Sequence, residues 1–319
     1  MRIVQCVPNI SEGRDLNIIE KIVAPLKNQE GFKLISYEPD KDYHRTVITL
    51  IGDPDKMIMP LIKFFELALK YIDMNHHQGE HPRMGAVDVV PFIPISAITI
   101  EECVEYAKML ADHVSFMHNI PVFLYAKAAS SKERESLPEI RKGEFEGMKE
   151  KIKEPLWKPD YGKSEIHETF GVVAIGARLP LIAYNIDLQT DDEKIAQNIA
   201  KAIRQSSGGF QYVQAGPAFL KERGHVQVTM NILDYKKNPL YRIYETVMME
   251  AKRYHVEVTG SEIVGLIPKE ALYESLKYYA QVNEISIKKD IEMLDLVNRI
   301  RSYLKIRDFD ETKVIEYYI

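Results

Sequence analysis

Two stretches of this chain repeat each other, and that repeat limits the fold more than any other feature. HRTVITLIGDPDKMIMPLIKFFELALKY, beginning at His44, parallels HVQVTMNILDYKKNPLYRIYETVMMEAKRY, beginning at His225, an offset of 181 residues. VVPFIPISAITIEECVEYA, from Val89, parallels IVGLIPKEALYESLKYYA, from Ile263, 174 residues later. Hydrophobic periodicity around both copies reads strand, helix, strand, strand, helix, strand. In the first copy strands are expected over 2–7, 32–37, 46–51 and 87–94, with helices over 16–26 and 55–71; a helix over 99–117 and a strand over 121–125 follow. In the second, strands are expected over 179–188, 211–215, 225–233 and 256–260, with helices over 191–206, 239–254, 269–281 and on to about 306. A β-α-β-β-α-β order makes a split βαβ, or ferredoxin-like, sheet with helices on one face. The expected fold is therefore α+β: two duplicated ferredoxin-like subdomains, residues 1–178 and 179–319, with a ligand cleft between them.

Between the copies the pattern lapses. Residues 130–159 are rich in Lys and Glu and read as surface helix and loop bridging the halves, with Trp157 as a domain-contact anchor. Residues 160–171, DYGKSEIHETFG, have no period and read as loop. The formal net charge of −5 argues against a nucleic-acid binder, which needs a basic surplus to neutralise phosphates. The two cysteines, Cys6 and Cys103, read as reduced core thiols of a cytoplasmic protein. The opening MRIVQCVPNISEG is not expected to act as a signal peptide, and no apolar run is long enough to span a membrane.

Chemistry concentrates in NHHQGEHPRMGAVD, residues 75–88, a turn-rich loop just ahead of a buried strand. Two readings arise. His77, Glu80 and His81 match the H-x-x-E-H pattern of zinc hydrolases, but that pattern needs a helix, and Gly79 and Pro82 work against one. Alternatively His81 is an acid–base catalyst, because imidazole is the side chain that titrates near neutral pH. Glu80 is then placed to orient its ring, Pro82 to stiffen its backbone, and Arg83 to grip a carboxylate.

The string GEHPRMGAVDVVPFIP resembles the hallmark segment of the formiminotransferase family. So do VPNISEG (Val7–Gly13), RTV (Arg45–Val47), GARLPLIAYNIDL (Gly176–Leu188) and VGLIP (Val264–Pro268), in order along nearly the whole chain. The resemblance implies two ferredoxin-like subdomains and folate-dependent transfer of a formimino group between N-formimidoyl-L-glutamate and tetrahydrofolate, as in histidine degradation. It implies His81 as the general acid–base, tetrahydrofolate as co-substrate, no metal, a homodimer, and no nucleic-acid or membrane partner. It also implies folate contacts from Gly162, Lys163, Ser164, Glu165, Ile166, His167, Glu168, Thr169, Phe170 and Gly171.

The glutamate moiety has two carboxylates, for which Arg45, Arg83 and Arg178 are the candidate partners; Asn9 is a candidate hydrogen-bond donor to substrate, and Glu38 a candidate for orienting His81. Tyr161, Phe170 and Tyr184 are candidates for stacking on the pterin, while Glu12 and His44 read as helix-start and turn residues. Departures from the family's animal members fall at His167, Glu168, Phe170 and Glu38. Alternatives that keep the fold are a glycine formiminotransferase or a glutamate formyltransferase; a non-catalytic folate-binding protein and the zinc hydrolase are alternatives of other classes.

Overall fold

A computed structural model describes residues 2–220, 223–288 and 290–319. The chain divides into two compact units, one ending at Arg178 and the other running from Leu179 to Ile319. Both are mixed α+β, each built around its own sheet.

In the first unit β1 (Ile3–Cys6) and β2 (Asn9–Ile10) form one strand line broken at Val7–Pro8. Proline has no N–H to give, yet its carbonyl still accepts from the Ile48 N–H at 2.8 Å. Then come α1 (Leu16–Val23), β3 (Phe32–Asp40), β4 (Arg45–Gly52), α2 (Pro54–Tyr71) and β5 (Val87–Ser96). Asp15 and Asp53 start the two helices by accepting backbone N–H groups that have no partner inside them. This is the β-α-β-β-α-β order read from the sequence. The unit continues with α3 (Ile100–His118), β6 (Val122–Ala126), α4 (Leu137–Arg141), α5 (Glu144–Lys151) and β7 (Val173–Ala177). Across the seven-stranded sheet the order is β3, β4, β1 with β2, β5, β7, β6; the first pairings are antiparallel, while β5–β7 and β7–β6 are parallel.

One face of this sheet is apolar. Cys6, Ile48, Leu50, Val90 and Phe92 pack there against residues of α1, α2 and α3, among them Ile22, Phe65 and Leu110. The other face divides in two. Towards β6 it carries a small second core in which Val89, Phe123, Tyr125 and Ala174 meet Ile140, Met148 and Ile152. The Lys/Glu-rich segment, expected as surface bridge, instead turns these apolar residues inward and covers the sheet with α4 and α5, while Arg141, Glu144 and Glu146 bind Asp88 and Arg83. Trp157 packs on this core as well. Towards β3 the same face is polar. Directly opposed residues share a face, and Glu38 opposes Val47, Val47 opposes Asn9, Asp40 opposes Arg45.

The second unit holds β8 (Ile182–Leu188), α6 (Glu193–Ile203), β9 (Val213–Leu220), β10 (His225–Ile232), α7 (Leu240–Lys252) and β11 (Val258–Val264), followed by α8 (Lys269–Val282) and α9 (Met293–Tyr303). Its four strands lie in the order β11-β8-β10-β9 and are antiparallel throughout. By chain position that is fourth, first, third, second. The same sequence of strands forms one end of the first sheet, where β7 and β6 extend it beyond β5. Tyr184, Ile186, Val228 and Ile243 lie in the apolar core of this unit, while Asn185, Asp187 and Gln227, alternating with them, point to the opposite face.

Two glycines join the segment before β5 to the segment before β7. The Val172 N–H donates to the Met84 carbonyl at 3.0 Å and the Ala86 N–H to that of Phe170 at 2.8 Å. A Cβ on Gly85 would lie 2.0 Å from the Val172 oxygen, and one on Gly171 2.2 Å from the Met84 oxygen. Gly85→Ala is therefore expected to lower stability by roughly 1–3 kcal/mol through steric overpacking. Gly147→Ala, in α5 with nothing within 4 Å of the new carbon, should instead raise it by about 0.5–1 kcal/mol. Urea midpoints of the two variants check both signs.

Candidate active site

The fold brings three of the sequence motifs together. Asn9 of VPNISEG opposes Val47 of RTV on one side and Val89, just after the GEHPRMG segment, on the other. The pairing then jumps from Asn9–Val89 to Ile10–Val87, which leaves Asp88 as an extra residue in β5. Such a bulge re-aims a side chain. Asp88, 2% exposed, accepts from the Met84 N–H at 2.9 Å and from Nε of Arg141 at 2.8 Å.

Residues 77–84 carry His81 outside any helix or strand. They are held against the turn between β3 and β4. The Glu80 N–H donates to the Asp42 carbonyl at 3.2 Å, His44 Nδ1 to that of Gln78 at 2.9 Å, and His77 Nε2 to that of His44 at 2.8 Å. Gly79 lies so close to the turn that a Cβ there would meet the Tyr43 oxygen at 2.5 Å. His44 adopts a left-handed backbone, φ 50°, and stacks on His77 with ring centroids 4.2 Å apart. Its Nε2 lies 3.2 Å from Oε1 of Glu12, so both ring nitrogens are engaged.

His81 itself is half-buried. Nη1 of Arg45 lies 3.0 Å from its Nε2 and 3.3 Å from its Nδ1, and Tyr43 meets the ring edge-on at 6.2 Å. A donor nearly equidistant from both ring nitrogens lies over the ring face, off either in-plane lone pair, so it acts on the imidazole through its charge. Burial, then Arg45, Arg141 and His77, draw the pKa of His81 down from 6.5 to about 3, against the opposing pull of Asp40. Arg45 is half-buried, stacks over Tyr43 at 5.4 Å and forms no ion pair among the described residues. Burial and the nearby Arg141 lower its pKa too, while Asp40 pulls it upward. A desolvated cation without an ion-pair partner among the described residues, beside an imidazole on a polar sheet face, is an arrangement able to receive an anion next to a proton acceptor.

Residues 3–178 match the formiminotransferase domain, N-terminal subdomain, and residues 183–319 match the formiminotransferase domain. The chain belongs to the formiminotransferase family. It is 46% identical over 290 residues to a glutamate formimidoyltransferase of Streptococcus pyogenes serotype M1, covering 91% of this chain and 97% of that one. It is 44% identical to one from Thermoplasma acidophilum, covering 89% and 94%. A formimidoyltransferase-cyclodeaminase of Gallus gallus is 35% identical across all of this chain, which spans 60% of that protein.

Of the residues singled out in the sequence, Asn9, Glu38, Arg45 and His81 gather around the polar face of the first sheet. Arg83 does not belong with them as a substrate ligand. It is 6% exposed and its donors are spent: Nε on His77 Nδ1 at 3.1 Å, Nη1 on Glu144 at 2.7 Å and Glu146 at 2.9 Å, Nη2 on Glu146 at 2.7 Å and the His77 carbonyl at 3.1 Å. Arg83 ties the loop to α5. Arg178 follows β7, level with Phe92, and pairs with the buried Tyr125 hydroxyl; along β5 that is about 10 Å from Val89. Glu80 is exposed and forms no hydrogen bond with His81; Arg45 holds the ring instead.

The zinc reading fails on geometry. The loop is not helical, and both nitrogens of His77 are taken, one by Arg83 and one by the His44 carbonyl. Phe170 and Tyr184 are fully buried in the cores of their units, so neither offers a face for stacking. Tyr161 is half-buried at the start of β6. Within the segment 162–171, Gly162 to Glu165 are exposed, and residues 167–171 form a tight turn closed by His167 and Gly171, whose N–H groups donate to each other's carbonyls at 3.0 and 2.9 Å. That turn abuts the His81 loop: the Met74 N–H donates to the Thr169 carbonyl at 2.8 Å. Sequence reading missed Asp40 and Arg141, and placed Asp88 in the polar cluster without giving it a role. Asp88 sat in the quoted string, but its bulge is set by pairing. Arg141 lay in a segment whose apolar spacing, Ile140, Phe145, Met148 and Ile152, was masked by its charges.

Arg83→Ala should cost roughly 1–3 kcal/mol of stability, because it leaves buried acceptors on His77 unpaired; denaturant titration measures it. The pH dependence has a definite sign. The pKa of His81 is about 3 folded against 6.5 unfolded, so the unfolded chain takes up a proton first as pH falls. Stability should decline on this account from about pH 6.5 downward, and melting curves of His81→Asn should lack that component.

Proposed function

We propose that this protein is an enzyme, a glutamate formimidoyltransferase, which moves a formimino group between N-formimidoyl-L-glutamate and tetrahydrofolate. The observation that carries this reading is the contact of His81 with Arg45, a cation with no counter-ion among the described residues, on a sheet face shared with Asn9 and Glu38. The names of the bacterial and archaeal relatives, matched over about nine-tenths of this chain, support it.

The chemistry follows from the donor. Its formimino carbon is bonded to two nitrogens and, when protonated, is electrophilic. N5 of tetrahydrofolate attacks it, forming the N5–C bond and a tetrahedral adduct. N5 then gives its proton to the neutral ring of His81. His81 passes a proton to the glutamate nitrogen, the C–N bond to glutamate breaks, and glutamate leaves. Neutrality of the imidazole suits it to begin as a base. Arg45 takes a substrate carboxylate, Asn9 donates a hydrogen bond, and Glu38, at the exposed edge, faces the same space.

Tetrahydrofolate enters as co-substrate, with contacts from the exposed residues of 162–169; Gly171 serves by its backbone alone. We further infer two ferredoxin-like subdomains and a homodimer. A cytoplasmic location suits Cys6 and Cys103, which are free and buried thiols. No helix among the described residues is long and apolar enough to cross a membrane.

An assay of the purified protein with formiminoglutamate and tetrahydrofolate tests the reading. Transfer is expected, with His81→Gln lowering kcat about 10²–10⁴-fold. No transfer by the unaltered protein, or preferential use of the glycine analogue, would remove this donor assignment.

A further inference from the structure

The contact between Arg45 and His81 poses a problem for any proton shuttle. Nη1 of Arg45 lies 3.0 Å from one ring nitrogen and 3.3 Å from the other, a position over the ring face, so the guanidinium charge sits directly against any proton the ring takes up. A protonated ring would also be a second cation against the first. Yet the guanidinium is built to be drawn elsewhere. Nε and Nη2 of Arg45 have no hydrogen-bond partner among the described residues, and the side chain is half-exposed rather than sealed.

The charged and titratable groups around the imidazole are few. Arg45 comes from β4, Asp40 from the end of β3, Tyr43 from the turn between them, Arg141 from α4 and His77 from the loop itself. Two of these five are cations. Arg141 is already matched, through Nε and Nη2, to the buried carboxylate of Asp88. Asp40 is engaged by the N–H groups of Asp42 and Tyr43 at 3.0 and 2.9 Å. Arg45 alone keeps its full charge unmatched and its fork unfilled.

We propose that Arg45 is a carboxylate-operated positioning residue, whose bare charge against the His81 ring opposes protonation in the empty enzyme and is relieved when a substrate carboxylate takes the guanidinium. This rests on the transferase reading given above and adds to it a coupling between donor binding and proton transfer. A carboxylate on the Arg45 fork supplies the missing counter-charge. The ring then faces a neutral ion pair in place of a bare cation. In that state it can take the N5 proton from the adduct and hold it until the glutamate nitrogen accepts it. Without the carboxylate it cannot. The base is thus armed by the substrate it serves, and the reciprocal coupling follows: protonation of His81 strengthens carboxylate binding.

Nitrogen-15 NMR of histidine-labelled protein reads this directly, with the His81 resonance assigned by its loss in His81→Gln. In the free enzyme His81 is expected to stay unprotonated down to about pH 5, below the ordinary histidine window. Saturating L-glutamate, with and without tetrahydrofolate, should raise its titration midpoint by about 1–3 pH units. In Arg45→Gln the midpoint should already be high and glutamate should leave it in place, while Arg45→Lys should keep the low value. The coupling is overturned if glutamate leaves the midpoint of the unaltered enzyme unmoved, or if Arg45→Gln responds as fully as the parent. Should Arg45→Gln not fold, the first of these measurements decides alone. An enzyme that transfers the formimino group while its His81 ignores glutamate loses the coupling and keeps the function; one that transfers nothing loses both.

Discussion

A segment without regular structure must find partners elsewhere for every backbone group it buries, and that requirement organises the region around residues 77–86. The His77 N–H goes to Met74, that of Glu80 to Asp42, that of Met84 to the Asp88 carboxylate and that of Ala86 to Phe170. The carbonyls of Gln78, Arg83, Met84, Gly85 and Ala86 accept from His44, Phe145, Val172 and, for the last two, the hydroxyl and N–H of Ser11. Those partners come from the first strand line, the β3–β4 turn, α5 and the approach to β7. A histidine at the centre of such a lattice keeps its position without any helix or strand beneath it. The side chains that shape its charge, Arg45 and Arg141, stand on elements tied into the same lattice.

This explains why the motif strings were informative and where they fell short. VPNISEG, RTV and GEHPRMG are far apart in sequence but adjacent in the sheet, through Asn9, Val47 and Val89. Alternation and helical spacing made most strands and helices of the first unit legible. β7 was not, because Val173–Ala177 is buried on both faces and bounded by glycine, so it shows no period. Arg83 looked like a ligand by residue type; only α5 folding back with Glu144 and Glu146 turned it into a fastening. The low pKa of His81 was equally hidden, since it comes from burial and from two arginines, neither within thirty residues of it.

The two units use one strand order to different ends. In the second, β11 stays at the sheet edge and β8 and β10 form the centre. In the first, the corresponding edge position belongs to β5, which is buried because β7 and β6 continue the sheet past it. That extension is what α4 and α5 rest on, and through Arg141 it supplies part of the electrostatic setting of His81. A pure duplicate of the second unit would have no such layer.

His44 carries a cost that bears on how this family can be improved as a material. Its left-handed backbone is one that glycine adopts freely and histidine does not, a strain of order 1–3 kcal/mol. A designer seeking heat resistance would choose glycine there and, in doing so, would cut the ring's tethers to Gln78 and Glu12 and its stacking on His77. Robustness of the scaffold and registration of the working loop are thus set against each other at a single position, and selection for one is paid in the other.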